Sequence, residues 1–399
     1  MTQRAERTYG ELNPSIRILM GPGPSNVHPR VLRAMSTPLV GHLDPDFLSI
    51  MDDVQDLLRR LFRTGNRMTI PMSGTGSSGM ETCFCNLLEP GDTAMVCVNG
   101  LFGERMSDIV GRLGAKLVRV EAEWGKPIEP EVVEKTLKKG RVKLVAIVHA
   151  ETSTGVMQPI EEISRIAKEH GALLVVDTVT SLGGCEVEMD KWGIDACYSG
   201  TQKCLSCPPG LSPVSFSDAA MEALRARASK VSSWYLDLSM IEKYWGEERA
   251  YHHTAPISMI YAFREALRII IEEGLEARFE RHRLNHLALA AGLKMLEVDL
   301  LVEKPYRLPM LNAALIPDGV SDANVRKHLL GKFGIELGGG LGPLKGRIWR
   351  IGLMGHSSTR QNVILFLTAL ENAFAAESVK VSPGAAVSAA MKVYSKHEP

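Results

Sequence analysis

Neither sign of charge prevails in this chain of 399 residues: 46 lysines and arginines face 46 aspartates and glutamates. A chain so balanced has no whole-surface footprint for nucleic acid or an anionic membrane. Long apolar runs are missing too, and none approaches the ~20 residues that a membrane span needs. The opening stretch, MTQRAERTYGELN, is polar and has no signal-peptide core, so the expected location is the cytoplasm. No internal repeat is visible. Cysteine is scarce and odd in number, at positions 83, 85, 97, 185, 197, 204 and 207, with none beyond. Several sit in apolar runs such as Met95-Val96-Cys97 and Ala196-Cys197-Tyr198, where a thiol packs as a small hydrophobe. That pattern suits a reduced chain better than a disulfide framework. Cys204-x-x-Cys207 has no second C-x-x-C to accompany it. A structural zinc site needs four ligands, and His149 or His170 would complete one only by coincidence. The expectation is no metal, with both thiols used for packing.

What is present is alternation. Short β-branched runs recur at 68–72, 93–98, 115–120, 142–149, 172–177, 195–199 and 213–217, and helix-patterned segments at 79–89, 103–113, 130–139 and 160–170 separate most of them. Strand, helix, strand in repetition predicts an α/β fold built on a mostly parallel, seven-stranded sheet covered on both faces. From about residue 258 the pattern changes to two long helices, 258–275 and 276–298. Shorter strands (309–315, 347–353) and helices (321–333, 358–375) follow. The length suits one large unit plus a smaller one. The expected organisation is an arm over 1–20, a large domain over 21–275, a smaller C-terminal α+β domain over 276–375 and an Ala/Ser/Lys-rich tail over 376–399.

Ligands collect at the carboxyl ends of strands in such sheets, and four strand ends here carry unusual chemistry. The first is Ser73-Gly-Thr-Gly-Ser-Ser-Gly79, which opens a helix. Its glycines allow a tight turn, and free N–H groups at a helix start favour an anion. The spacing also fits G-x-G-x-x-G, but the next strand ends in Val98-Asn99-Gly100 with no acid, against a dinucleotide. A phosphate is favoured; a glycine-rich helix start with no ligand is the plainer alternative. The second end places Phe102 where an aromatic ring can stack on a ligand or simply join the core. The third closes five apolar residues with Asp177, a carboxylate that needs a partner if it is buried; a helix cap or an ion pair would also serve. The fourth sets Lys203 in a cramped turn, where a desolvated amine becomes a nucleophile toward carbonyls. Phosphate cradle, stacking ring, buried acid and activated lysine together describe one ligand, a planar phosphorylated aldehyde: pyridoxal 5'-phosphate. Lysine would form the Schiff base and the acid would keep the ring nitrogen protonated.

The ordered motifs GPGPSN (21–26), SGTGSSGMET (73–82), NLLEPGD (86–92), NGLFGER (99–105), ETSTGV (151–156), VVDTVTSLGG (175–184), YSGTQK (198–203), PPG (208–210), YHHT (251–254), GGLGP (339–343) and RIGLMG (350–355) carry a resemblance over residues 15–375. The chain resembles the class V, fold-type I aminotransferases, and within them the alanine–glyoxylate and serine–pyruvate aminotransferase family. The resemblance implies that Lys203 is the Schiff-base lysine and Asp177 the partner of the pyridinium nitrogen. It places Thr75, Gly76, Ser77 and Gln202 at the phosphate, Thr152 at the ring O3′, and Phe102 and Val179 among the cofactor-binding residues. Arg350 would grip the substrate carboxylate, helped by the backbone around Gly23. Tyr251 and Thr254 would reach the phosphate of the neighbouring subunit, which implies a homodimer with shared active sites. Phe102 stands where close relatives often have tryptophan, and Ser77 replaces a larger residue. Tyr251 stands where ureidoglycine-acting members carry asparagine, against that donor.

The implied reaction is ping-pong amino transfer between a small amino acid, alanine or serine, and a small oxo acid, glyoxylate or pyruvate. No second arginine stands out for a side-chain carboxylate, although Arg30, Arg105 and Arg347 remain candidates. Serine–glyoxylate transfer of one-carbon metabolism is the near alternative. Persulfide-forming desulfurases of the same fold need a cysteine late in the chain, and none follows Cys207. A non-catalytic subunit of a complex is the alternative of another kind; the joint presence of Lys203, Asp177 and Arg350 argues against it.

Overall fold

The computed structural model describes residues 9–397, so residues 1–8 of the expected arm and 398–399 of the expected tail lie outside the described residues. Seven strands form the central sheet: β1 (Met68–Ser73), β2 (Thr93–Val98), β3 (Lys116–Glu121), β4 (Leu144–Val148), β5 (Leu173–Asp177), β6 (Ala196–Tyr198) and β7 (Leu211–Phe216). Their spatial order is β1-β7-β6-β5-β4-β2-β3. All neighbours are parallel except around β7, which runs antiparallel to both β1 and β6. Every residue of β4 is buried, as expected of a central parallel strand made of Val, Leu, Ile and Ala and covered on both faces. The edge strand β3, KLVRVE, is largely exposed and charged, which blocks pairing with a further strand.

Helices α1 (Pro45–Phe62), α2 (Gly76–Leu87), α3 (Leu101–Arg112), α4 (Pro130–Leu137), α5 (Glu161–Glu169) and α6 (Ile257–Glu273) pack around this sheet. The expected helix 79–89 begins three residues earlier than its pattern, because the glycine turn is itself the first helical turn, with Thr75 as its N-cap. Gly79 therefore lies inside α2. A Cβ there would meet Ser212 Oγ at 2.1 Å and Tyr198 Cβ at 3.0 Å, so the missing side chain is what lets α2 lie against β6 and β7. The sequence pattern also passed over α1 and the short helix Pro29–Met35.

A second apolar core gathers α7 (Leu275–Met295), α8 (Asp322–Phe333), α9 (Arg360–Ala376) and α10 (Ala385–Ser395) around a small antiparallel sheet. That sheet comprises β8 (Leu311–Leu315), β9 (Gly338–Gly339) and β10 (Ile348–Gly352) in the order β8-β10-β9. Gly274, at φ +85°, turns the chain from α6 into α7. The tail contributes α10, a docked helix. It buries Ala386, Ala390 and Tyr394, its first amides donate to Glu371 at 2.9 Å, and Tyr394 donates to Asn285 at 2.7 Å. Near the other terminus, Ile18–Leu19 pairs with Ile335–Glu336 and Met20 joins the second core. The chain then passes under the β6–β7 connection, so residues 21–25 bridge the two cores at the carboxyl ends of the strands.

Candidate active site

Lys203 sits on the connection between β6 and β7, eight residues before β7 begins. It is 8% exposed. Two bonds tie this turn to the incoming chain: Ser25 N donates to Gln202 O at 2.8 Å, and Ser25 Oγ donates to Lys203 O at 2.7 Å. Nζ of Lys203 donates to the carbonyl of Pro22. Gly23, at φ +115°, is pressed against this amine, and a Cβ there would come within 2.6 Å of Nζ. Only glycine fits both that backbone angle and that approach. Burial, and secondly the positive charge of Arg350, push the Lys203 amine down to about 8.

Asp177 ends β5 and is 2% exposed. Its Oδ1 accepts from Val179 N at 2.8 Å and its Oδ2 from the Tyr198 hydroxyl at 2.8 Å. Burial pushes the carboxyl up to about 7, against the pull of these two bonds. Each oxygen accepts one bond, which leaves lone pairs for a further donor. Tyr198, the last residue of β6, is fully buried. Its role was missed in the sequence, where it reads as one more apolar strand residue.

The cluster contains a second acid. Glu151 follows β4 and is fully buried. Its Oε1 accepts from Ser153 N at 2.9 Å and Ser153 Oγ at 2.7 Å, and its Oε2 from Phe102 N at 3.2 Å. Burial raises its pKa. The signal that singled out Asp177, a carboxylate closing an apolar run, was present in VKLVAIVHAE as well. Beside it, Thr152 is buried and its carbonyl accepts from Arg350 Nη1 at 3.4 Å. Arg350, on β10, donates Nε to Gly339 O at 2.7 Å. These bonds leave Nη2 for a ligand. Of the other arginines, Arg30 is held at 2.6 Å by both Glu265 and Glu272, and Arg347 is exposed.

The glycine turn joins the same cluster. A Cβ on Gly76 would touch Gly200 Cα at 3.5 Å and Val179 Cγ2 at 3.7 Å. Thr75 and Ser77 flank it at the exposed start of α2. Phe102, on the first turn of α3, is half-buried; the guanidinium of Arg105 lies 5.0 Å from its ring centroid, and Arg105 Nη1 donates to Ser77 Oγ at 3.3 Å. Gln202 keeps its Oε1 buried without a partner. Thus Thr75, Gly76, Ser77, Phe102, Thr152, Asp177, Val179, Gln202, Lys203, Gly23 and Arg350 come together through neighbouring elements. Tyr251 and Thr254 are both exposed, Tyr251 at 62%, with its ring 5.2 Å from His42, and between them His253 Nε2 lies 2.7 Å from Ser73 Oγ at the start of the glycine turn. Cys204 is buried among Ala150, Met310 and Met354, and Cys207 in the large core. Among the described residues, no group of three His, Cys, Asp or Glu is placed to hold a metal.

The sequence model of the family described as Aminotransferase class-V matches residues 19–342. The chain belongs to the class-V aminotransferases. Its similarity to individual members extends over almost its whole length. It is 41% identical to the (S)-ureidoglycine–glyoxylate transaminase of Bacillus subtilis, over 96% of this chain and 97% of that one. It is 40% identical to the alanine–glyoxylate aminotransferase of Callithrix jacchus, over 90% and 87% respectively. The solved alanine–glyoxylate aminotransferase from Nostoc sp. superposes with a TM-score of 0.91 at 48% identity, covering 92% of this chain and 98% of that one. As a class-V aminotransferase the protein has the fold-type I architecture described above, and the family depends on pyridoxal phosphate. The residues present fit that group. Asp177 is buried and has unused lone pairs, Lys203 presents a desolvated amine, and Gln202 holds a buried polar atom for a partner the chain does not supply.

Proposed function

We propose that this class-V aminotransferase moves amino groups between a small neutral donor, alanine or serine, and a small oxo acid, glyoxylate or pyruvate, with pyridoxal phosphate held at Lys203. The observation that carries this reading is one cluster. It unites a buried amine lowered toward neutrality (Lys203), a buried carboxyl (Asp177) and a guanidinium with a free end (Arg350). The relatives named for glyoxylate transfer support the acceptor.

Pyridoxal phosphate, when bound, supplies a carbonyl carbon to carry the amino group and a ring to accept electrons. Asp177 would hold a proton at the ring nitrogen, with Tyr198 and Val179 N keeping its carboxylate aimed. The start of α2 at Thr75–Ser77, with Gln202, would bind the phosphate, using free N–H groups that favour an anion. Phe102, Val179 and Thr152 would help to hold the ring. Arg350 orients the donor carboxylate through Nη2, and the backbone around Gly23 closes the other side. Lys203 Nζ then moves the donor's Cα proton; an amine lowered to about 8 is partly neutral at working pH and suits both directions of transfer. Exposure of Tyr251 and Thr254 supports their use by a second copy of the chain, in a homodimer with shared sites. Among the described residues no helix is long and apolar enough to cross a membrane.

Borohydride reduction followed by peptide mapping tests the anchor: the label is expected on Lys203, and its absence there refutes the reading. Half-reaction spectra test the donor. Alanine and serine should convert the bound cofactor to its amine form quickly and aspartate slowly. Ureidoglycine belongs in the panel because of the Bacillus subtilis relative, and Tyr251 predicts a slow reaction with it.

A further inference from the structure

The first turn of α3 cannot cap itself. Its N-cap is Gly100, which has no side chain to offer the free N–H groups of Leu101 and Phe102. A different segment supplies the acceptors. Glu151 stands on the hairpin formed by Ala150–Glu151 and Val156–Met157, and Ser153 lies in its loop. Ser153 Oγ accepts from Leu101 N at 2.9 Å, and Glu151 Oε2 accepts from Phe102 N at 3.2 Å. The approach is close. A Cβ on Gly100 would come within 2.4 Å of Glu151 Cγ and Cδ and 2.6 Å of Ser153 Oγ, so bare backbone is what admits the carboxylate. A Cβ on Gly103 would meet Val98 Cα at 2.9 Å, which seats the same turn on the end of β2.

A cap alone does not need a carboxylate. Serine or threonine caps as well and carries no charge that must be desolvated. Glu151 is fully buried, and that burial raises its pKa. What the carboxylate adds is an acceptor at each end. Oε1 accepts from Ser153 N at 2.9 Å and Ser153 Oγ at 2.7 Å, so every bond to the group is one it accepts. The charge of Arg350 also favours the ionised form. The two sides that Glu151 ties together are those expected around the cofactor. One is Phe102. The other is the loop in which Thr152 lies between Glu151 and Ser153, and the Thr152 carbonyl in turn accepts from Arg350 Nη1 at 3.4 Å.

We propose that Glu151 is a positioning residue for the cofactor ring, holding Phe102 and Thr152 at a fixed separation across the site. The proposal rests on the pyridoxal phosphate reading above. Glu151 acts through its neighbours: the backbone of Phe102 sets where the Phe102 ring can go, and a helix end that loses its caps frays and takes its side chains with it. Glu151→Gln separates the two halves of the clamp. Its amide has one acceptor end and one donor end, whereas Ser153 N and Phe102 N are both donors. Keeping two bonds at Ser153 outweighs keeping one at Phe102, so the amide NH2 turns toward Phe102 N and that link is lost.

Equilibrium titration of the apoenzyme with pyridoxal phosphate tests this, in a double-mutant cycle of Glu151→Gln and Phe102→Leu. E151Q should weaken binding about tenfold, the worth of one hydrogen bond to a charged group. In the F102L background, which has no aromatic ring to place, the same change should cost less than about threefold. A residue that only stabilises the fold would lower affinity equally in both backgrounds. Ser153→Ala loosens the same clamp without adding a donor and should show the same dependence on Phe102; it decides the matter if E151Q does not fold. Unchanged affinity in folded E151Q, or a loss equal in the two backgrounds, overturns the proposal. A native chain that does not bind pyridoxal phosphate refutes the underlying reading instead.

Discussion

Asp177 and Lys203 titrate toward each other because burial penalises whichever form is charged. The acid is pushed up to about 7 and the amine down to about 8. The sign of each effect on stability follows from linkage. Asp177 binds its proton more tightly in the folded chain, so its contribution is fully present below the unfolded value of about 4 and is lost as pH rises through about 7. The Lys203 amine works oppositely, imposing its cost below about 8 and none above its unfolded value of about 10. In the cofactor-free protein, the stability difference between the native chain and Asp177→Asn should therefore fall as pH rises from 4 to 7; urea unfolding across that range measures it. A difference that rises with pH would mean the carboxyl is not held protonated. Tyr198 sets the other half of this balance. Its hydroxyl bond favours the ionised carboxylate that a protonated ring nitrogen needs. Tyr198→Phe removes that bond without opening a large void. It should weaken cofactor binding about tenfold, the worth of one hydrogen bond to a charged group, as read by equilibrium titration of the apoenzyme.

The sheet's elements were largely legible because each announces itself locally. A run of β-branched residues says strand without knowledge of its neighbours, and all seven appear in the structure, although β7 runs antiparallel to both β1 and β6. The boundary at Ser73–Gly79 was less so, since glycine weakens the local case for a helix and only packing explains its presence. That packing yields an expectation for α2. Gly79→Ala improves helix propensity, yet its methyl collides with Ser212 and Tyr198. Overpacking should win, at a cost of about 1–3 kcal/mol in urea unfolding, and a stabilised variant would show that α2 can shift on the sheet. Glu151 and Tyr198 stayed hidden for a related reason. A single buried polar atom declares its role through its partner, and Phe102 and Asp177 reach these residues from other elements. The docked tail is similar: nothing in GAAVSAAMKVYS names Glu371 and Asn285 as its partners.

At the scale of the whole molecule the single chain leaves two of its expected site residues open to solvent. Tyr251 and Thr254 are exposed on the stretch leading into α6, while Thr75, Gln202 and Lys203 gather at the strand ends. A tyrosine this exposed, with its ring on His42, is poorly explained by solvent alone. If a second copy places these residues in the neighbouring site, a twofold interface makes the exchange reciprocal, and each site draws on both chains. This can be decided by mixing two defective proteins. Lys203→Ala removes the amine from one chain, and Tyr251→Ala with Thr254→Ala removes the shared contacts from the other. In a mixed dimer, the intact lysine meets intact contacts from its partner in one of two sites. Random reassortment makes half the dimers mixed, so activity should recover to about a quarter of native. Were Tyr251 and Thr254 to serve their own chain's site, every site in the mixture would carry a defect and no recovery would follow.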